Sequence, residues 1–164
     1  FSAGPALAGL TLALFFVPFA VLQYPVGSLS DRIGRFLPVV VGSLLYGVTI
    51  VAVGLAPTYL LAAALLVVVG VWGAFVAPAT MALVTDVVPA TERGAAMGAF
   101  NVFGSLGMLS GFLVGGVVTA WYGYLTAFLV AGGLELCIAL TAFPWVRRIA
   151  PERADSASQL LDTG

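Results

Sequence analysis

The chain has 164 residues, of which 62% are hydrophobic and 8% charged; its formal net charge is −1 and its mean hydropathy +1.15. Soluble domains are about 45–50% apolar and about 25% charged, so the composition excludes an ordinary soluble domain. With no histidine and a single cysteine, the chain offers no His/Cys metal cluster and no internal disulfide, and its charge leaves no footprint for nucleic acid.

Crossing about 30 Å of hydrocarbon takes roughly 20 apolar residues in helix. Five stretches meet that requirement: about 4–27, 36–55, 58–82, 95–118 and 124–146. A barrel needs alternating strands of about ten residues, and runs such as Leu60-Leu-Ala-Ala-Ala-Leu-Leu-Val-Val-Val69 do not alternate. The fold expected is therefore an all-α membrane protein, with a bundle of five transmembrane helices over 1–148. The first residue is Phe, and no basic region precedes the first apolar run. A secretory signal peptide fits that start poorly, and the chain reads as part of a longer protein.

The first span ends in Gly27-Ser-Leu29-Ser-Asp31-Arg32-Ile-Gly34-Arg35, a charged turn bounded by glycines. The connection between spans two and three, Ala56-Pro57-Thr58, holds no charge. Span three leads into Thr85-Asp86-Val-Val-Pro89-Ala-Thr91-Glu92-Arg93-Gly94, where Thr91 is expected to cap span four. The next connection, Ala120 to Tyr124, is again uncharged. Arg147, Arg148 and Arg153 follow span five. All six basic residues thus fall on one side, which the positive-inside rule makes cytoplasmic. Tyr59, Trp121, Tyr122 and Tyr124 sit at the opposite ends, where an aromatic belt is expected. Residues 149–164 are polar and proline-broken and read as a cytoplasmic tail or linker.

Within the spans, Gly107, Gly111 and Gly115 belong to a small-residue face of span four suited to close helix packing. Glu135 is the one acid near the middle of a span, and an intramembrane acid is a functional candidate by default. Asn101 and Gln23 are further polar candidates for a pathway. In span three Trp72 and Phe75 are candidate lining residues, and Pro78 removes one backbone hydrogen bond. No catalytic constellation is present in the spans, so no enzyme is expected, and no cofactor or metal is called for.

The first charged turn resembles the G-x-L-[AS]-D-R-x-G-R motif of the major facilitator superfamily. Gly27, Leu29, Ser30, Asp31, Arg32, Gly34 and Arg35 match it; Phe36 stands where the family often has another basic residue. The second turn is similar to a later cytoplasmic loop of the family, with Asp86, Pro89, Glu92, Arg93 and Gly94 in place. The resemblance implies two six-helix halves that rock about a central site. This chain would hold helices two to six of one half. Ala62 and Ala63, where N-terminal halves often carry arginine, and the polar tail favour the C-terminal half, helices eight to twelve.

The implied function is secondary active transport of a small solute by alternating access, ion-coupled efflux or uptake being one form of it. The alternative is a non-transporting receptor or assembly subunit on the same fold. By the same resemblance, Asp31 and Arg35 would join Asp86, Glu92 and Arg93 in a cytoplasmic lock. The implied partners are a small-molecule substrate, a coupling ion, the lipid bilayer and the remaining helices, in the plasma (cell inner) membrane, with the C-terminus cytoplasmic.

Overall fold

The computed structural model describes residues 5–149. Among the described residues there are four helices and no strand: α1 Pro5–Ile33, α2 Phe36–Gly54, α3 Tyr59–Asp86 and α4 Arg93–Ile149. All four are long and apolar enough to cross a membrane. In lipid a helix satisfies its own backbone polar groups, which is why such sequences settle into helices. The tail expected over 149–164 lies, beyond Ile149, outside the described residues.

The first helix runs past the expected end at residue 27. Hydropathy marks where lipid-compatible residues stop, whereas the hydrogen-bond ladder continues through Ile33. At 1.5 Å per residue, 29 residues span about 44 Å, well beyond the hydrocarbon. The charged cluster is therefore the last turns of α1 followed by a two-residue reversal, not a loop. Gly34 makes that reversal at φ 90°, a conformation that costs a side-chain-bearing residue roughly 1–2 kcal/mol. Its N–H bonds the Ser30 carbonyl at 3.1 Å, closing the helix end. Arg35 flanks α2 directly.

At the opposite end Thr58 caps α3, its hydroxyl accepting the Leu61 N–H at 3.3 Å. The fourth and fifth expected spans form one element, α4, broken only at Gly123 (φ 83°, ψ 170°). That combination of angles is essentially open to glycine alone, so one residue suffices where a turn of several was expected. The two segments are 93–122 and 124–149, each long enough to cross. α4 opens after Glu92, whose carbonyl accepts the Ala96 N–H at 3.0 Å, so Thr91 lies in the turn and does not cap the helix.

Without a hydrophobic force between helices in lipid, packing depends on close backbone approach. α1 packs on α3, α3 on α2, and α2 on the second segment of α4. Each interface is set by glycines. Gly70 of α3 receives Phe15 and Pro18 of α1, and Gly27 of α1 faces Pro78 of α3. Gly47 of α2 meets Gly132 of α4 backbone to backbone. Near the charged end Val40, Leu83 and Val146 form one core cluster, with Phe36 set edge-on to Phe143 at 5.6 Å. Near the other end Val53, Ala62 and Val69 form a second, packed by Phe15, Tyr46 and Phe128. Thr49, Thr80 and Thr141 return their hydroxyl protons to carbonyls of their own helices, as polar groups in lipid must.

Candidate functional site

The ends of α1 and α3 and the starts of α2 and α4 meet at the charged end. Arg35 is the centre of this meeting. Its Nε donates to Asp86 Oδ2 at 3.2 Å, across 51 residues of sequence. Its Nη1 pairs with Asp31 one turn back and donates to Ser30 Oγ at 3.0 Å. The Arg35 side chain is 17% exposed, against 62% for Asp31 and 52% for Asp86. Partial burial works against the guanidinium charge, but the hydrogen bonds and charges of Asp31 and Asp86 outweigh it and hold its pKa above the ordinary arginine value.

The second turn adds a further tie. Arg93 Nε donates to the Thr85 carbonyl at 3.1 Å, one of the carbonyls that the end of α3 leaves without a helical partner. These charges run against local helix preference. Asp31 and Asp86 lie at helix C-termini, and Arg93 opens a helix N-terminus, where the macrodipole disfavours each sign. Tertiary partners compensate: Arg35 for both acids, and the α3 carbonyl for Arg93. Gly34 turns the chain at this corner, Gly27 faces Pro78 of α3, and Leu29 is exposed. Arg32 and Glu92 are exposed there and join no ion pair among the described residues.

Ser30 matches the sequence motif, but no part in the charged cluster was expected of it. It is 1% exposed and supplies the one neutral oxygen in the Arg35 cluster. Its signal was available: a hydroxyl one residue before the acid and five before the arginine. The pairing of Gly47 with Gly132 was also missed, because it joins helices whose small residues make no stripe on either helix alone.

The remaining candidates lie apart from this corner. Gly107, Gly111 and Gly115 are on the first segment of α4, where an added methyl would meet no atom within 4 Å. Asn101 is exposed on the same segment. Gln23 is half-buried on α1, ahead of the cluster. Trp72 and Phe75 are half-buried on α3 with ring centroids 5.8 Å apart. Glu135, half-buried and one turn from Gly132, faces Ser43 and Tyr46 of α2. Among the described residues no group of His, Cys, Asp and Glu is placed to hold a metal ion.

The sequence matches the family model described as Major Facilitator Superfamily over residues 1–161. It is similar to an uncharacterized MFS-type transporter of Methanocaldococcus jannaschii, 31% identical over 135 residues, covering 82% of this chain and 35% of the relative. It is also similar to the multidrug resistance protein MdtG of Yersinia enterocolitica, 32% identical over 145 residues, covering 88% of this chain and 35% of the relative. MdtG of Serratia proteamaculans is 32% identical over 135 residues, covering 82% and 33%. The chain thus spans about a third of the length of the curated relatives it matches.

Proposed function

The chain belongs to the major facilitator superfamily, and we propose that it forms part of a secondary transporter that moves a small solute by alternating access. The observation that carries the reading is Arg35, mostly buried and bound to acids of two different helices at the basic end. Five of the six basic residues are described, and all lie at helix ends on this side, which the positive-inside rule makes cytoplasmic. The Arg35 cluster, with Arg93 on Thr85, acts as a cytoplasmic lock. It ties the ends of α1, α2 and α3 together in the outward-open state and breaks when the inside opens. Each exposed pair contributes only about 0–1 kcal/mol, but several acting together bias an equilibrium whose gap is a few kcal/mol.

The first segment of α4 presents its small-residue face to open space, and the rest of the transporter supplies its neighbours. Ala62 and Ala63 of α3, where N-terminal halves often carry arginine, support reading this chain as helices eight to twelve, and the basic helix ends support a cytoplasmic C-terminus in the plasma membrane. The function is non-enzymatic. Glu135 is the candidate for ion coupling, since a carboxyl that takes up and releases a proton mid-span would meet Ser43 and Tyr46 across the α2–α4 contact.

The relatives named multidrug resistance proteins make an amphipathic cation a suitable first substrate. Ethidium efflux is measured in vesicles holding the intact protein and its Asp86→Ala variant at equal membrane levels. Reduced efflux in the variant supports the lock. Equal efflux counts against it, and no efflux above empty vesicles counts against a multidrug substrate.

A further inference from the structure

α2 and the second segment of α4 run antiparallel and meet along one seam. Its closest point is Gly47 against Gly132, where backbone meets backbone. On α4 the buried residues Gly132, Ala139 and Val146 mark the face turned to α2, and Glu135 falls between the first two at helical spacing. On α2 the buried residues Val40 and Gly47 mark the facing row, and Ser43 falls between them. Glu135 and Ser43 thus each stand one turn from the glycine contact, on its basic side. A side-chain hydrogen bond joins them there. Tyr46, three residues after Ser43, faces the same carboxyl.

No counter-charge is within reach of Glu135. α2 carries no acidic or basic side chain. α3 meets this part of α4 at Leu83 and Val146 and carries none before Asp86. On α4 the next charged residue is Arg147, twelve residues on, or about 18 Å along the axis. Cys137, two residues on, is exposed, so among the described residues Tyr46 is the one other titratable group facing the carboxyl. A carboxylate with no cation beside it loses hydration that lipid does not replace. A protonated carboxyl needs less. It donates once and accepts once, and the hydroxyls of Ser43 and Tyr46 can meet both needs. The carboxylate only accepts, and its remaining lone pairs call for water. The Gly47–Gly132 approach has no room for a methyl group between the backbones, and so none for water.

We infer that Glu135 is a proton-operated latch on the α2–α4 seam. Protonated, it bonds Ser43 and the helices close on the glycine pair. Ionised, it draws in water and parts them. The latch rests on the reading of Glu135 as the ion-coupling carboxyl and adds the element that moves: the seam itself, whose two packings differ by one proton.

The test places spin labels at two exposed positions, Val48→Cys on α2 and Leu140→Cys on α4, with Cys137→Ser. The intact protein, freed of other cysteines, is held in nanodiscs, and the distance between the labels is measured by electron paramagnetic resonance from pH 5 to pH 9. The distance should grow by about 2–3 Å as pH rises, the width of one water layer. Glu135→Gln, which keeps the shape without a charge to gain, should hold the short distance at both ends of the range. Ser43→Ala should move the midpoint by about 0.5–1 pH unit, the effect of one hydrogen bond. A constant distance in the parent protein, the same movement in Glu135→Gln, or an unmoved midpoint in Ser43→Ala would overturn the latch. The coupling reading fails separately. Label movement as described, with efflux by Glu135→Gln keeping its full dependence on the proton gradient, would uphold the latch and remove the coupling.

Discussion

Two adjacent glycines in α4 should respond differently to alanine. A methyl on Gly132 would sit 2.6 Å from Val51 Cγ2, 2.8 Å from the Gly47 carbonyl oxygen and 3.0 Å from the Val51 amide nitrogen. The valine methyl can rotate away, but the two backbone atoms move only if α2 and α4 separate. Carbon contacts are most favourable at about 3.5–4.0 Å, so the helices would part by roughly half an ångström or more. Overpacking of this kind costs about 1–3 kcal/mol. The strain would spread along the interface to the Val40–Val146 and Phe36–Phe143 contacts. Gly133 has no atom within 4 Å of the same methyl, and alanine there gains about 0.5–1 kcal/mol over glycine in a helix interior. The helix-propensity gain is common to both positions, so the two variants should differ by about 1–3 kcal/mol in reversible SDS unfolding followed by circular dichroism. Values within 0.5 kcal/mol of each other, or Gly132→Ala the more stable, would refute the close α2–α4 crossing.

Gly34→Ala should lower stability by about 1–2 kcal/mol because of its positive φ, with Gly34→Asn losing less; thermal unfolding in detergent measures both. Thr58→Ala removes the α3 cap and should cost about 1 kcal/mol in the same assay. Arg35→Lys keeps the charge but cannot reach Asp86, Asp31 and Ser30 together, so its efflux should fall close to that of Arg35→Ala. The folded-state pKa of Arg35 is raised, so its contribution is fully present below the ordinary arginine pKa and is lost only as pH rises through the higher folded value. Raising the pH from 7 to 10 should then leave the difference between wild type and Arg35→Ala in SDS unfolding unchanged. Glu135→Gln should flatten the dependence of efflux on the proton gradient while leaving membrane insertion intact, as read by efflux at several imposed gradients.

Much of the fold was legible because lipid solvation depends on local composition. Span two was expected over 36–55, and α2 covers Phe36–Gly54. The end of α1 was less legible, since Ser28 to Ile33 are helical but too polar to score as membrane. Gly123 was hidden by its neighbours: a single positive φ carries no hydropathy signal. At the charged corner the sidedness of the arginines indicated which turns share a face. The choice of Asp86 as the partner of Arg35 required knowing that α1 packs on α3. The Gly47–Gly132 contact likewise belongs to tertiary geometry, while the glycine stripe of span four, plain in the sequence, faces open space here.

Hydrogen–deuterium exchange on the intact protein in nanodiscs, comparing wild type with Arg35→Ala, tests the lock most directly. A lock on the cytoplasmic side couples the two ends: releasing it shifts the population toward an open inside and a closed outside. Exchange should rise in residues 28–34 and 83–92 and fall in residues 54–60 and 120–125. A rise confined to the charged end, with the opposite end unchanged, would mean that Arg35 only staples local structure and would contradict the lock.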